Sequence, residues 1–195
     1  MAIRRRTEAR DALLPLLAAA ALALGAPARA AEIRALTVER EGARFHVEME
    51  VQLAAAAARA FAVFADAANL PRINPAVRVA RPLDEAGAQD RLYTEVYLCV
   101  AVFCRSLHQV QDLSRATQPD GRHLVADVLP ARSDFRYGHA EWIFAGDDKV
   151  TDLQLHMEVE PAFWVPPLIG NWFAERLLRE QAELTAAGIE RLAAS

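Results

Sequence analysis

The chain carries a single lysine, Lys149, and beyond its first ten residues no cluster of basic side chains. Nucleic-acid phosphates reward clustered Lys and Arg, so a nucleic-acid partner is excluded, and anionic lipid surfaces are disfavoured for the same reason. Metal-ligand spacing is missing as well. The five histidines (46, 108, 123, 139, 156) and two cysteines form no H-x-x-x-H, H-E-x-x-H or C-x-x-C pattern, which leaves no sequence basis for a metal site. There is no G-x-S-x-G, no G-x-G-x-x-G and no phosphate-binding loop, so hydrolase and nucleotide readings lack support and no cofactor is expected. Neither a repeat nor a Gly/Ser-rich break marks a second domain.

What is present begins with an export signal. Arg4, Arg5, Arg6 and Arg10 form a basic n-region, and "ALLPLLAAAALALGA" is an apolar run of 15 residues. Ala28 and Ala30 then supply the A-x-A pattern read by signal peptidase. A spanning helix needs roughly 20 apolar residues, and Pro15 interrupts this run. Cleavage after Ala30 places residues 31–195, one domain by length, in the periplasm. Residues 1–30 remove five Arg and two acids from 22 basic and 26 acidic residues, leaving 17 against 24, a net charge of −7.

The periodicity of the remainder predicts strands around a helical insert, closed by a long helix. In "RFHVEMEVQL" Phe45, Val47, Met49, Val51 and Leu53 alternate with polar residues, a half-buried strand. The Ala-rich "AAAAARAFAVFADAANL" reads as a helix, ended by Pro71 and Pro75. Six strands follow: "VRVARPL", "RLYTEVYL", "FCRSLHQVQDL", "RHLVADVL", "RYGHAEWIFA" and "KVTDLQLHMEV". The last helix, "GNWFAERLLREQAELTAAGIERLAA", carries an apolar stripe of Phe173, Leu177, Leu184, Gly188 and Leu192. The expected fold class is α+β: a curved antiparallel sheet of about seven strands around the C-terminal helix, with the insert after the first strand.

Chemistry-bearing residues are few. His46 and His156 lie on the polar faces of their strands. His139 and Glu141 share a side of one strand, opposite apolar Ala140, Trp142 and Phe144, so that pair is expected to face water. Glu95 and Asp127 occupy strands that alternate too poorly to orient. "EPAFWVPPLIGNWF" is an apolar, Pro-stiffened loop which, if exposed, fits a lipid-exchange lip or a protein contact.

The two cysteines, Cys99 and Cys104, belong to an oxidising compartment if the chain is exported, and there cysteines tend to pair. Along one continuous strand they would lie about 16 Å apart on opposite faces, far beyond the roughly 4.4–6.8 Å Cα spacing of a disulfide. A chain reversal at residues 100–103 makes them the flanks of a four-residue hairpin loop, and a Cys99–Cys104 bridge becomes reasonable. That loop contains no Gly, Asn, Asp or Pro, a poor turn signature.

From about Arg44 to Leu192 the chain resembles the START-like superfamily, the helix-grip or polyketide cyclase/dehydrase and lipid-transport group. The resemblance rests on the element order, the helix "AARAFAVFAD" with "NLPRINPAV", the turn Gly146-Asp147-Asp148 before "VTDLQL", and "PAFWVPPLIGNWFAERLL" opening the last helix. It implies a cavity between sheet and helix for a hydrophobic small molecule: a lipid, sterol, quinone or polyketide. The side chains expected around it are Phe61, Phe64, Trp142, Phe144, Leu153, Leu155, Met157, Trp164, Trp172, Phe173 and Leu177. Val100, Val102 and Phe103 are expected at its rim. The expected role is a monomeric binding or carrier protein rather than an enzyme. The alternatives are a cyclase/aromatase acting in the same cavity, and an interaction module using the 161–173 loop against a membrane or protein.

Overall fold

A computed structural model describes residues 31–85, 90–100, 103–165 and 171–195. Eight strands form one antiparallel sheet in the order β1-β2-β8-β7-β6-β5-β4-β3. They are β1 (Glu32–Glu41), β2 (Arg44–Leu53), β3 (Val77–Leu83), β4 (Arg91–Val100), β5 (Phe103–Gln118), β6 (Gly121–Val128), β7 (Phe135–Gly146) and β8 (Thr151–Pro161). Helix α1 (Ala57–Ala65), a single 3-10 turn (Ala67–Asn69) and α2 (Leu70–Ile73) lie between β2 and β3, and α3 (Asn171–Ala193) closes the chain. This is the expected α+β helix-grip architecture, with one strand more.

The additional strand is β1, so the helical insert follows the second strand, not the first. Its pairing with β2 slips at a bulge between Ile33 and Ala35. Among its ten residues only Val38 is fully buried. A bulge breaks period-two alternation, and an edge strand needs little apolar surface, so "EIRALTVERE" carries no clear strand signal.

Helix α3 also departs from expectation. The predicted stripe puts Phe173 and Leu184 inward, yet both are exposed, and the buried residues are Ala182, Ala186, Gly188, Ile189 and Leu192. Small residues win because the backbones approach so closely. A Cβ on Gly188 would lie 2.0 Å from the Ile73 carbonyl oxygen of α2. Asn74, directly after α2, holds the same crossing: its Nδ2 donates to the Gln181 carbonyl (3.3 Å), Gln181 Oε1 (3.1 Å) and Thr185 Oγ1 (3.0 Å).

The core is packed at one end and looser at the other. Val51, Leu53, Phe144, Leu153 and Val63 pack with Ile73, Ala186 and Ile189 into a continuous cluster. The β7–β8 turn belongs to this end. Gly146, at φ 129°, allows the chain to reverse, since a Cβ there would sit 2.2 Å from the Val150 carbonyl oxygen. Asp147 Oδ1 accepts from the backbone N–H groups of Lys149 and Val150, and the Asp147 carbonyl accepts from Ala57 at the start of α1. That turn therefore caps a helix whose own N-cap, Ala56, has no side-chain acceptor.

Candidate functional site: a cavity between sheet and helix

Between the concave face of the sheet, the α1–α2 turn and α3 lies a cavity of about 740 Å³. That volume falls within the range of small-molecule sites. It runs along β4 and β5, from Asp90 and Arg115 at one end to Leu98 and Leu107 towards the β4–β5 hairpin. Strand parity explains the wall. Leu92, Thr94, Val96 and Leu98 of β4 face inward with Leu107, Gln109, Gln111, Leu113 and Arg115 of β5.

Of the side chains expected in the cavity, Phe64, Trp142 and Met157 line it. The Phe64 ring lies 5.4 Å from Trp142 and 5.5 Å from Phe144, and Phe61 meets Phe144 edge-on at 5.6 Å. Phe144 and Leu153 belong to the packed cluster, with Phe61 against it, so they form the closed end behind the cavity. Leu155 is buried as well, and Leu177 is half-buried one position away from Leu178, which lines the wall.

Trp164, Trp172 and Phe173 stand on the outside, at 76%, 62% and 37% exposure. Trp172 and Phe173 meet edge-on at 4.7 Å, with the Arg176 guanidinium 5.9 Å from the Trp172 ring. The Arg105 guanidinium lies 4.3 Å from the Phe163 ring, which brings this loop beside the β4–β5 hairpin.

That hairpin carries the disulfide. Cys99 and Cys104 are direct cross-strand partners with an S–S bond and Cα atoms 4.0 Å apart. The ladder continues one pair further, to Val100 opposite Phe103, so the reversal is tighter than a four-residue loop. Of the expected rim, Val100 and Phe103 form this last backbone pair, and Val102 lies outside the described residues.

The titratable groups sit mostly on the other face of the sheet. Glu95 pairs across β4–β5 with His108, opposite in parity to Thr94, and Asp127 meets His139 Nδ1 at 2.7 Å. Neither carboxylate enters the cavity. His139 and Glu141 do not bond one another, because Glu141 Oε1 instead takes His123 Nδ1 at 2.7 Å. Asp120 Oδ1 takes the other ring nitrogen of His123 at 2.9 Å. The hydrogen bond to Glu141, opposed by burial and helped by Asp120, raises the His123 pKa. His46 faces Glu158 at 3.4 Å and His156 faces Glu48 at 3.9 Å, as their strand parity predicts. Among the described residues no three His, Cys, Asp or Glu side chains are placed to share a metal ion.

Sequence reasoning missed the polar stretch of the cavity wall. On β5 the inward residues include Gln109, Gln111 and Arg115, whereas the outward Val110 is only 4% exposed beneath Ser133. Period-two hydrophobicity is inverted there. The usable signal was Leu107 and Leu113, which share their parity.

Residues 53–184 match the family described as polyketide cyclase / dehydrase and lipid transport. The chain belongs to this family. Solved structures with the same helix-grip fold include a START superfamily protein from Mycobacterium smegmatis, at TM-score 0.60 and 19% identity over 75% of this chain and 98% of that one. The Zhui aromatase/cyclase from Streptomyces sp. R1128 aligns at TM-score 0.57 and 20% identity, covering 77% and 94%. A STAR-related lipid transfer protein from Xanthomonas axonopodis aligns at TM-score 0.56 and 15% identity, covering 82% and 99%. No curated protein sequence matches the chain. The START-like fold is thus common to proteins named for lipid transfer and for cyclase activity.

Proposed function

We propose that this START-like chain is an exported binding or carrier protein that holds a hydrophobic small molecule between sheet and helix. The observation that carries the reading is the state of the charged groups around the cavity. Arg115 is ion-paired with Asp90 and donates to the Ala65 carbonyl; Arg91 is held by Asp112 and Glu85. Asp66 caps the 3-10 turn through the Ala68 N–H, and His139 is bound to Asp127. General acid–base work needs a titratable group free to reach a reacting atom, and these are already committed to protein partners.

The cyclase-type reading is favoured by one feature, the Asp90–Arg115 pair at the end of the cavity. If that pair did chemistry, extracted small molecules would appear as substrate with Asp90→Asn and as product with the unaltered chain. Identical molecules from both support the carrier.

Export is supported by the n-region, apolar run and A-x-A site of residues 1–30, and by a disulfide of the kind oxidising compartments preserve. The deciding experiment is native mass spectrometry of protein recovered from the periplasm. It should show a chain beginning at Ala31, no free thiol after unfolding, and a co-purifying neutral hydrophobe. A chain retaining residues 1–30, or two free thiols, overturns export. A cavity that takes up no apolar probe overturns the carrier.

A further inference from the structure

The cavity wall contains polar groups that the protein itself does not use. Thr94 is 5% exposed, and Gln109 is its direct cross-strand partner, so both side chains lie on the cavity side of the β4–β5 ladder. Gln111 follows two residues later on the same face. Among the described residues no hydrogen bond reaches any of these three side chains. The other polar lining groups are spoken for. Gln181 and Thr185 serve Asn74, Asp66 takes the Ala68 N–H, and Asp90, Arg91, Arg115 and His139 are ion-paired. Arg81 pairs in register with Tyr93 and holds its guanidinium over that ring, on the parity opposite to Thr94.

This contrast defines a ligand. An ion entering the cavity would leave water for a wall whose charged groups are engaged by protein partners or, like Arg81, held over a ring on the other parity, at a large desolvation cost. A wholly apolar ligand would cover three hydrogen-bonding side chains and strand them. A neutral hydrophobe with an oxygen at the level of Thr94 avoids both penalties. Gln109 and Gln111 each offer two N–H donors and an acceptor, and Thr94 a hydroxyl, so a carbonyl or hydroxyl oxygen suits the group. Towards the Arg115 end of the same cavity, Trp142 and Phe64 offer aromatic surface, their rings tilted and 5.4 Å apart.

We propose that Thr94, Gln109 and Gln111 form a hydrogen-bonding subsite that selects neutral, ring-containing hydrophobes bearing a carbonyl or hydroxyl oxygen, against both hydrocarbons and anionic amphiphiles. This inference rests on the carrier reading and adds the ligand class.

Three tricyclic probes of one skeleton test it: fluorene, 9-fluorenone and fluorene-9-carboxylate, each displacing the neutral fluorophore N-phenyl-1-naphthylamine. With the unaltered protein, fluorenone should displace the fluorophore at about one-tenth of the fluorene concentration, the size of one net hydrogen bond. The carboxylate should be weaker than fluorene. In Gln109→Leu/Gln111→Leu the advantage of fluorenone should disappear while fluorene binds at least as well. Thr94→Val, nearly isosteric, should cut the advantage severalfold and serves if the double variant does not fold. Equal displacement by fluorene and fluorenone overturns the subsite and leaves the carrier standing, as does an advantage that survives both variants. Failure of the unaltered protein to take up the fluorophore overturns the carrier reading, and this subsite with it.

Discussion

His123 is 4% exposed and has a carboxylate on each ring nitrogen, Glu141 at 2.7 Å and Asp120 at 2.9 Å. With an acceptor on each nitrogen, a neutral imidazole would aim its lone pair at a carboxylate, so the native state favours the doubly protonated ring. The folded pKa is raised, chiefly by Glu141, above an unfolded value of about 6.5. The resulting stability is fully present below about pH 6.5 and is lost as pH rises through the raised folded value. We expect the melting temperature of the unaltered protein to fall across that window relative to His123→Gln, as measured by circular dichroism melts from pH 5 to pH 9. Parallel curves would show that His123 stays in one protonation state. Asp120 is held below the usual carboxylate range, first by its hydrogen bond to His123, so it remains ionised throughout.

Among the elements, α3 shows how spacing alone misleads. Its predicted stripe of Phe173, Leu177, Leu184, Gly188 and Leu192 runs beside a row holding Ala182, Ala186 and Ile189. Burial took that row and the Gly188–Leu192 end of the stripe but left Phe173 and Leu184 exposed, because α3 crosses α2 at backbone distance and large side chains would hold them apart. Gly188→Ala should therefore destabilise the protein by about 1–3 kcal/mol through overpacking against the Ile73 carbonyl, despite Ala being the better helix former by about 1 kcal/mol. Urea unfolding gives the sign, and a stabilised variant would show that the crossing is looser than 2.0 Å implies. The β4–β5 hairpin makes a different point. Its reversal lacks turn formers, and the Cys99–Cys104 bond closes a pairing that local chemistry specifies weakly. For so short a loop the bond contributes on the order of 2 kcal/mol or less.

For the whole molecule, one end is packed by the Phe144–Ile189 cluster and the space beside it is a cavity of about 740 Å³. Outside, Trp164 at 76% and Trp172 at 62% exposure keep apolar surface in water, a cost that contact with a membrane during ligand exchange would recover. Trp164→Ser should lower co-sedimentation with zwitterionic phospholipid vesicles about tenfold, consistent with loss of one buried aromatic side chain, while uptake of the neutral fluorophore stays unchanged. Equal co-sedimentation would remove the membrane role. The sequence by itself determined the strand, insert and long-helix order, the cysteine pair and the outward histidines His46 and His156, because each depends on alternation or spacing within one segment. It left β1 unread, since an edge strand with a bulge needs little apolar patterning. The tertiary structure alone decided that Ala182, Ala186 and Ile189 of α3 turn inward in place of Phe173 and Leu184, where Glu95 and Asp127 point, and that Thr94, Gln109 and Gln111 share one wall of a cavity. Those depend on how closely two backbones approach and on cross-strand register, which residues distant in the chain settle only when they pack.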